Sequence, residues 1–199
     1  MKLNLGGGQV WKRDEWRNLD LHSKYDIRKK LLSEFEDDSV DVIYTAHFIE
    51  HLEYKVVFKL LTDCYRVLKP KGLIRITVPD VDKILELYEF GTIETLREAS
   101  AYYRARPNVS FKRAVKSMLG FDNNPKGHKS YHSKNSLKLI LMLSEFKSEN
   151  IRFMSFCKSQ IEELEEPSVR PTNKSFLGPV TGFDSPARTL ATLYIEATK

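Results

Sequence analysis

Lys2-Leu3-Asn4-Leu5-Gly6-Gly7-Gly8 decides how the rest of the chain is read. Leu3 and Leu5 flank a polar Asn4, the period-2 pattern of a short buried strand. Three glycines end it at once. Glycine permits positive φ and lets a ligand come close to the backbone. A strand breaking into glycines at the carboxyl edge of an α/β sheet is where such sheets receive nucleotide-like ligands. A plain Gly-rich turn is the competing reading, and the following residues separate the two.

The connection over residues 9–16 has room for only about two helical turns, so a full crossover helix is not expected. Arg17–Leu21 reads as a second short strand ending near Asp20, where an acid can accept from ribose hydroxyls or serve a turn. Val40–Ala46 is β-branched and nearly continuous, as in a strand buried on both faces of a parallel sheet. His47 follows directly, with Glu50 and His51 one turn later. Tyr54–Leu68 is an amphipathic helix with Val57, Leu60, Leu61, Cys64, Val67 and Leu68 on one face. Lys69-Pro70-Lys71-Gly72 is its stop signal.

Leu73–Val78 is the next strand. Asp80 is placed to cap a helix over Val81–Phe90, whose Val81, Ile84, Leu85 and Tyr88 share a face. Residues 91–127 read as a largely helical, basic and aromatic insertion over the active face. It either meets an anionic substrate or is a solvated face. Ser133 or Asn135 starts a helix to about Glu145, with Leu137, Ile140, Leu141 and Met142 apolar. Ile151–Cys157 and Thr189–Thr198 are strands joined by a loop, so they are expected to pair antiparallel.

The 199 residues suit one α/β domain. A net charge of +5 suits an anionic substrate and falls short of a nucleic-acid signature unless it clusters. Cys64 and Cys157 have neither metal-ligand nor disulfide spacing and read as buried thiols. No metal is assigned. No signal peptide and no membrane-spanning run are read, so a cytoplasmic location is expected.

These pieces resemble the class I S-adenosylmethionine-dependent methyltransferases, and more narrowly the bacterial methyltransferase-domain proteins of cell-surface sugar pathways. The resemblance rests on Leu3–Gly8, Asn18–Leu21, Asp26-Ile27-Arg28, Asp37–Ile43, His47–Leu52, Tyr65–Gly72, Val78-Pro79-Asp80 and His128-Lys129. It implies an α/β fold: a Rossmann-like seven-stranded, mostly parallel sheet with a terminal antiparallel pair. A single domain over 1–199 with a helical insertion at about 91–127 follows. The implied cofactor is S-adenosylmethionine, leaving as S-adenosylhomocysteine.

The resemblance also implies roles. Asn4, Gly6, Gly7 and Gly8 would lie against the methionine and ribose, and Asp20 would bind the ribose hydroxyls. Asp26 would meet the adenine amino group with Ile27 on the ring, and Ala46 and His47 would sit beside the sulfonium. His47 and His51 are the candidate bases, each with a helix-bracing alternative; Asp80 and His128 are candidates for the acceptor side. Asn4 stands where many relatives carry an acid, and Gly7 replaces a usual cysteine without expected harm. The family's N-terminal helices are not expected ahead of β-forming Lys2–Leu5, and the insertion or the second copy of a homodimer is expected to close the pocket instead.

The expected activity is methyl transfer to a small-molecule or saccharide acceptor, at oxygen. A non-catalytic cofactor-binding or interaction protein is the alternative, and an RNA methyltransferase using Arg104–Lys116 is another. A nicotinamide oxidoreductase needs a third glycine where Trp11 stands.

Overall fold

The computed structural model describes residues 1–8, 11–20, 26–92, 110, 127–168, 182–184 and 191–199. Most of the expected insertion, including Arg104–Lys116 apart from Ser110, lies outside the described residues, as does most of the loop between the last two strands.

In chain order the elements are β1 (Lys2–Leu5), β2 (Trp16–Leu19), a one-turn α1 (Ile27–Lys30), β3 (Val40–Ala46), a 3₁₀ turn (Ile49–His51), α2 (Tyr54–Val67), β4 (Leu68–Pro79), α3 (Val81–Phe90), α4 (Lys134–Leu143), β5 (Ile151–Met154) and β6 (Thr192–Thr198). The sheet order is β2-β1-β3-β4-β6-β5. β1 pairs parallel with β2 and β3, and β3 with β4; β6 runs antiparallel to both β4 and β5. The mostly parallel sheet with an antiparallel ending is as expected. The strand count is corrected from seven to six among the described residues, which between Asp26 and Val40 form α1 and turns, with no strand.

The two faces are covered differently. Alternation along a strand sends successive side chains to opposite sides. Leu3, Leu5, Ile43, Ile74, Ile76 and Val78 pack with Val57, Leu60, Leu61 and Cys64 of α2 and Leu137 and Leu141 of α4. Each such side chain contributes roughly 1.5–3 kcal/mol on full burial. The other side of the sheet carries Val42, Tyr44 and Leu73 under Trp11, Trp16, Leu164 and Phe183. The described residues 11–15 form no helix, which agrees with the abbreviated connection. The Trp11 indole donates to the Gly182 carbonyl at 2.8 Å, and that of Trp16 to Glu163 Oε1 at 2.8 Å. Two tryptophans and Phe183 thus cover ground that a crossover helix would otherwise take.

A charged cluster lies beside this aromatic layer. Arg75, in the middle of β4, is fully buried with Asp184 and Glu196. Its guanidinium donates to Asp184 Oδ2 at 2.5 Å and Glu196 Oε1 at 2.8 Å, and to the Lys158 carbonyl at 2.8 Å.

Several boundaries differ from expectation. β4 begins at Leu68, directly after α2, because Val40 pairs with Leu68 and Val42 with Leu73. Residues 69–72 form a bulge, with Lys71 at φ 66°. On α3 only Ile84 is buried; Leu85 and Tyr88 are about half exposed. Asp80 stands at the N-cap position, but its side chain makes no cap bond. Ser133 caps α4 through a reciprocal pair with Ser136. Cys64 is buried and Cys157 only half-buried; both are free thiols. No helix among the described residues is long and apolar enough to cross a membrane.

Candidate functional site

Parallel pairing brings the carboxyl ends of β1, β2, β3 and β4 to one edge. Leu5 is level with Leu19 and Thr45, and Ala46 with Thr77. Gly6, Asp20, His47 and Asp80 are therefore neighbours in the fold although spread over the first 80 residues.

The glycine loop differs residue by residue. Gly6 has φ +80°, its amide donates to the Leu19 carbonyl at 2.6 Å, and a Cβ there would lie 2.2 Å from the Phe48 ring. At Gly7 a Cβ would come within 2.3 Å of Asn4 Nδ2 and 2.5 Å of Asn18 Oδ1. Glycine in place of the usual cysteine suits this crowded position, where a cysteine side chain would meet both asparagines. Gly8 has φ +70°, with no atom of the described residues within 4 Å of where its Cβ would stand. Asn18 Nδ2 donates to the Gly8 carbonyl at 2.7 Å, and buried Asn4 Nδ2 and Asn18 Oδ1 make no hydrogen bond among the described residues. Open space over Gly8 beside two unsatisfied polar atoms fits a polar ligand approaching the backbone.

Asp20 follows β2 and is half-buried. Asp26 caps α1: Oδ1 accepts from the Arg28 amide at 3.1 Å, and Oδ2 from Arg28 Nη2 at 2.9 Å. That bonding to Arg28 holds its carboxyl below the usual range, against a smaller opposing effect of burial. Ile27, expected against an adenine ring, is 1% exposed in the main core. Ala46 is half-buried and packs against the aromatic layer.

His47 turns the chain after β3 at φ 49°, a region few non-glycine residues occupy. Its amide donates to the Thr77 carbonyl at 2.8 Å, its Nδ1 lies 3.3 Å from Glu50 Oε1, and its Nε2 lies 3.4 Å from Thr192 Oγ1. Glu50 is 1% exposed. Burial opposes its charge, but the contact with His47 and the fields of His47, His51 and His128 outweigh it, so its pKa is lowered.

The segment over 127–132 crosses this edge. The Lys129 and Ser130 amides donate to the Glu50 carbonyl at 2.7 and 3.1 Å. Tyr54 Oη donates to the Tyr131 carbonyl at 2.7 Å and lies 2.9 Å from the Tyr131 amide, which donates back to it. The His51 and His128 rings meet edge-on with centroids 5.0 Å apart, and His51 Nδ1 lies 3.4 Å from the Gly127 carbonyl. His132 is buried, with Nε2 2.9 Å from Ser130 Oγ; burial pushes its pKa down to about 4. The Asp80 carboxylate is buried and 3.9 Å from Lys83 Nζ.

Glu50, His51, His128 and His132 are thus gathered into one group. Glu50 and His132 were not expected in the site. No local signal marks His132; only the fold brings it beside Glu50.

Residues 11–76 match a family described as "Methyltransferase domain". No curated protein matches the chain in sequence. Among solved structures, a SAM-dependent methyltransferase from Archaeoglobus fulgidus is 17% identical, over 100% of this chain and 85% of that one, with a TM-score of 0.54. An S-adenosylmethionine-dependent methyltransferase from Mesorhizobium loti is 15% identical, over 100% and 90%, with a TM-score of 0.47. Phosphoethanolamine N-methyltransferase 2 of Haemonchus contortus, in complex with S-adenosyl-L-methionine, is 16% identical, over 78% and 34%, with a TM-score of 0.43. At 17% identity the likeness to the Archaeoglobus fulgidus protein is one of fold. The domain match takes in 66 of the 199 residues, and the Archaeoglobus fulgidus protein shares the α/β fold of the chain.

Proposed function

We propose that the chain, one methyltransferase unit over 1–199 with its insertion at about 91–127, methylates an oxygen of a small-molecule or saccharide acceptor, with His47 as the general base. The observation that carries this reading is His47 at the tip of β3, with Nδ1 against the buried Glu50 carboxylate and Nε2 on the side of Thr192. An Nδ1–H aimed at Glu50 leaves the Nε2 lone pair to take a hydroxyl proton.

S-adenosylmethionine supplies a methyl group already activated on a sulfonium. Asn4, Gly6, Gly7, Gly8, Asp20 and Ala46 would hold it, with the open space over Gly8 receiving it. Asp26 serves the adenine end through the lone pairs that Arg28 leaves, and Ile27 supports that end from the core. The protein's share of the rate is orientation, worth roughly 7–11 kcal/mol in favourable cases. Asp80 and His128 flank the acceptor side. His51, edge-on to His128, is not the base in this reading.

Calorimetric titration with S-adenosylmethionine and S-adenosylhomocysteine is the first test, with micromolar binding expected. Asp20→Ala weakens it tenfold or more, about 1.4 kcal/mol; unchanged affinity would remove β2 from the cofactor site. With a hydroxyl acceptor found among nucleotide sugars and glycans, His47→Ala lowers kcat by about 10²–10⁴-fold and leaves cofactor affinity nearly unchanged. Loss of cofactor binding alone would make His47 a cofactor contact. A folded chain that binds neither ligand favours the non-catalytic reading, and salt-sensitive RNA binding the nucleic-acid one.

A further inference from the structure

We infer that Glu50, His51 and His128 form a binding site for a divalent ion of the zinc type, at the edge of the sheet beside His47. One ligand atom from each residue lies within 4.8 Å of the other two. Bonds of about 2.0–2.2 Å to nitrogen and oxygen then need the side chains to close by roughly 1 Å or less, within the reach of small χ adjustments.

Three observations on different residues point to a cation here. First, the Glu50 carboxylate is 1% exposed, and among the described residues its nearest polar partner is His47 Nδ1, at 3.3 Å. A buried carboxylate in that state is costly unless a cation completes it. Second, the Nδ1 of His51 faces the Gly127 carbonyl. Metal-binding histidines commonly direct one ring nitrogen at a backbone carbonyl and the other at the ion. Third, Glu50 and His128 line one small pocket with Ile84, Ser130 and His132, and buried His132 Nδ1 there makes no hydrogen bond among the described residues.

The site is built before any ion arrives. The Lys129 and Ser130 amides tie the histidine segment to the Glu50 backbone, and the paired Tyr54–Tyr131 bonds hold it from the other side. Two imidazoles and one carboxylate are the donor set of open zinc sites, which keep a coordination position for another ligand. Calcium needs 6–8 oxygens and magnesium an octahedron of them, and this site offers too few. His51 and His128 are half-buried, which leaves an entry path. Use of the open position to bind an acceptor hydroxyl rests on the methyl-transfer reading; ion binding itself does not.

The test is titration of the chelator-treated full chain with Zn²⁺ and Co²⁺, without methyl donor. One equivalent is expected, with cobalt giving the visible absorption of a low-coordinate nitrogen–oxygen site. Zinc raises the melting temperature. His51→Ala and His128→Ala each weaken zinc on the order of 100-fold or more and abolish the cobalt band. His128 is half-buried, so His128→Ala keeps the fold and reports even where Glu50→Gln does not. No binding, or binding that both histidine variants retain, overturns the site and leaves these residues as braces. A chain that binds zinc but not S-adenosylmethionine keeps this inference and loses the functional one.

Discussion

Arg75→Met is expected to destabilise the protein by about 3–5 kcal/mol. The guanidinium sits between Asp184 and Glu196, and all three side chains are sealed from water. Methionine fills much of the volume but leaves two carboxylates buried without their cation. Other donors do not replace it: Asp184 also accepts from the Cys157 amide, and Glu196 from Ser159 and the Gln160 amide. A domain is typically stable by only 5–15 kcal/mol, so this loss removes a large share. Urea denaturation measures it. A change below about 1 kcal/mol would mean that water reaches the cluster. Replacing Arg75, Asp184 and Glu196 together by apolar residues should recover most of the loss, because a buried pair costs about as much to desolvate as it returns. The cluster also fastens the loops over 155–160 and 182–184 to the sheet, where no crossover helix covers Tyr44 and Leu73 among the described residues.

That cluster marks the limit of what the chain discloses by pattern. Where apolar periodicity decides the structure, the reading and the fold agree. The strand before the glycines, the both-faces-buried Val40–Ala46, the amphipathic α2 and the antiparallel ending are all local signals. Arg75 carries no such signal. In Leu73–Val78 it looks like the exposed member of a strand, and its partners stand 109 and 121 residues away. Pro70 and Gly72 were correctly read as ending a helix, but strand pairing resumes at Leu68, so the same residues form a bulge. Leu85 and Tyr88 fit the helical period of α3 yet find no partner surface among the described residues. In the candidate site, the glycines, Asp20 and His47 were legible because each follows a strand end. The company of Glu50 with His128 and His132 was not, because it depends on a segment returning across the sheet edge.

The second large effect separates two adjacent-looking glycines. Gly8→Val is expected to weaken S-adenosylmethionine binding by about 100-fold, near 2.7 kcal/mol, while the chain stays folded. Its φ of +70° costs a branched residue about 1–2 kcal/mol, and no described atom lies within 4 Å of the new Cβ. The added methyls therefore collide with none of the described residues and occupy the space where a ligand meets the loop. Gly6→Ala acts on the fold instead. Its Cβ would stand 2.2 Å from the ring of Phe48, which is 3% exposed in the main core and leads into the turn carrying Glu50 and His51. Strain and overpacking together predict a loss of about 2–4 kcal/mol. Calorimetry and thermal melting on the two variants read both outcomes. Undiminished affinity in Gly8→Val would place the cofactor away from the glycine loop. A Gly6→Ala protein as stable as the parent would show that Phe48 can give way, and the loop would then be free to move independently of the histidine turn.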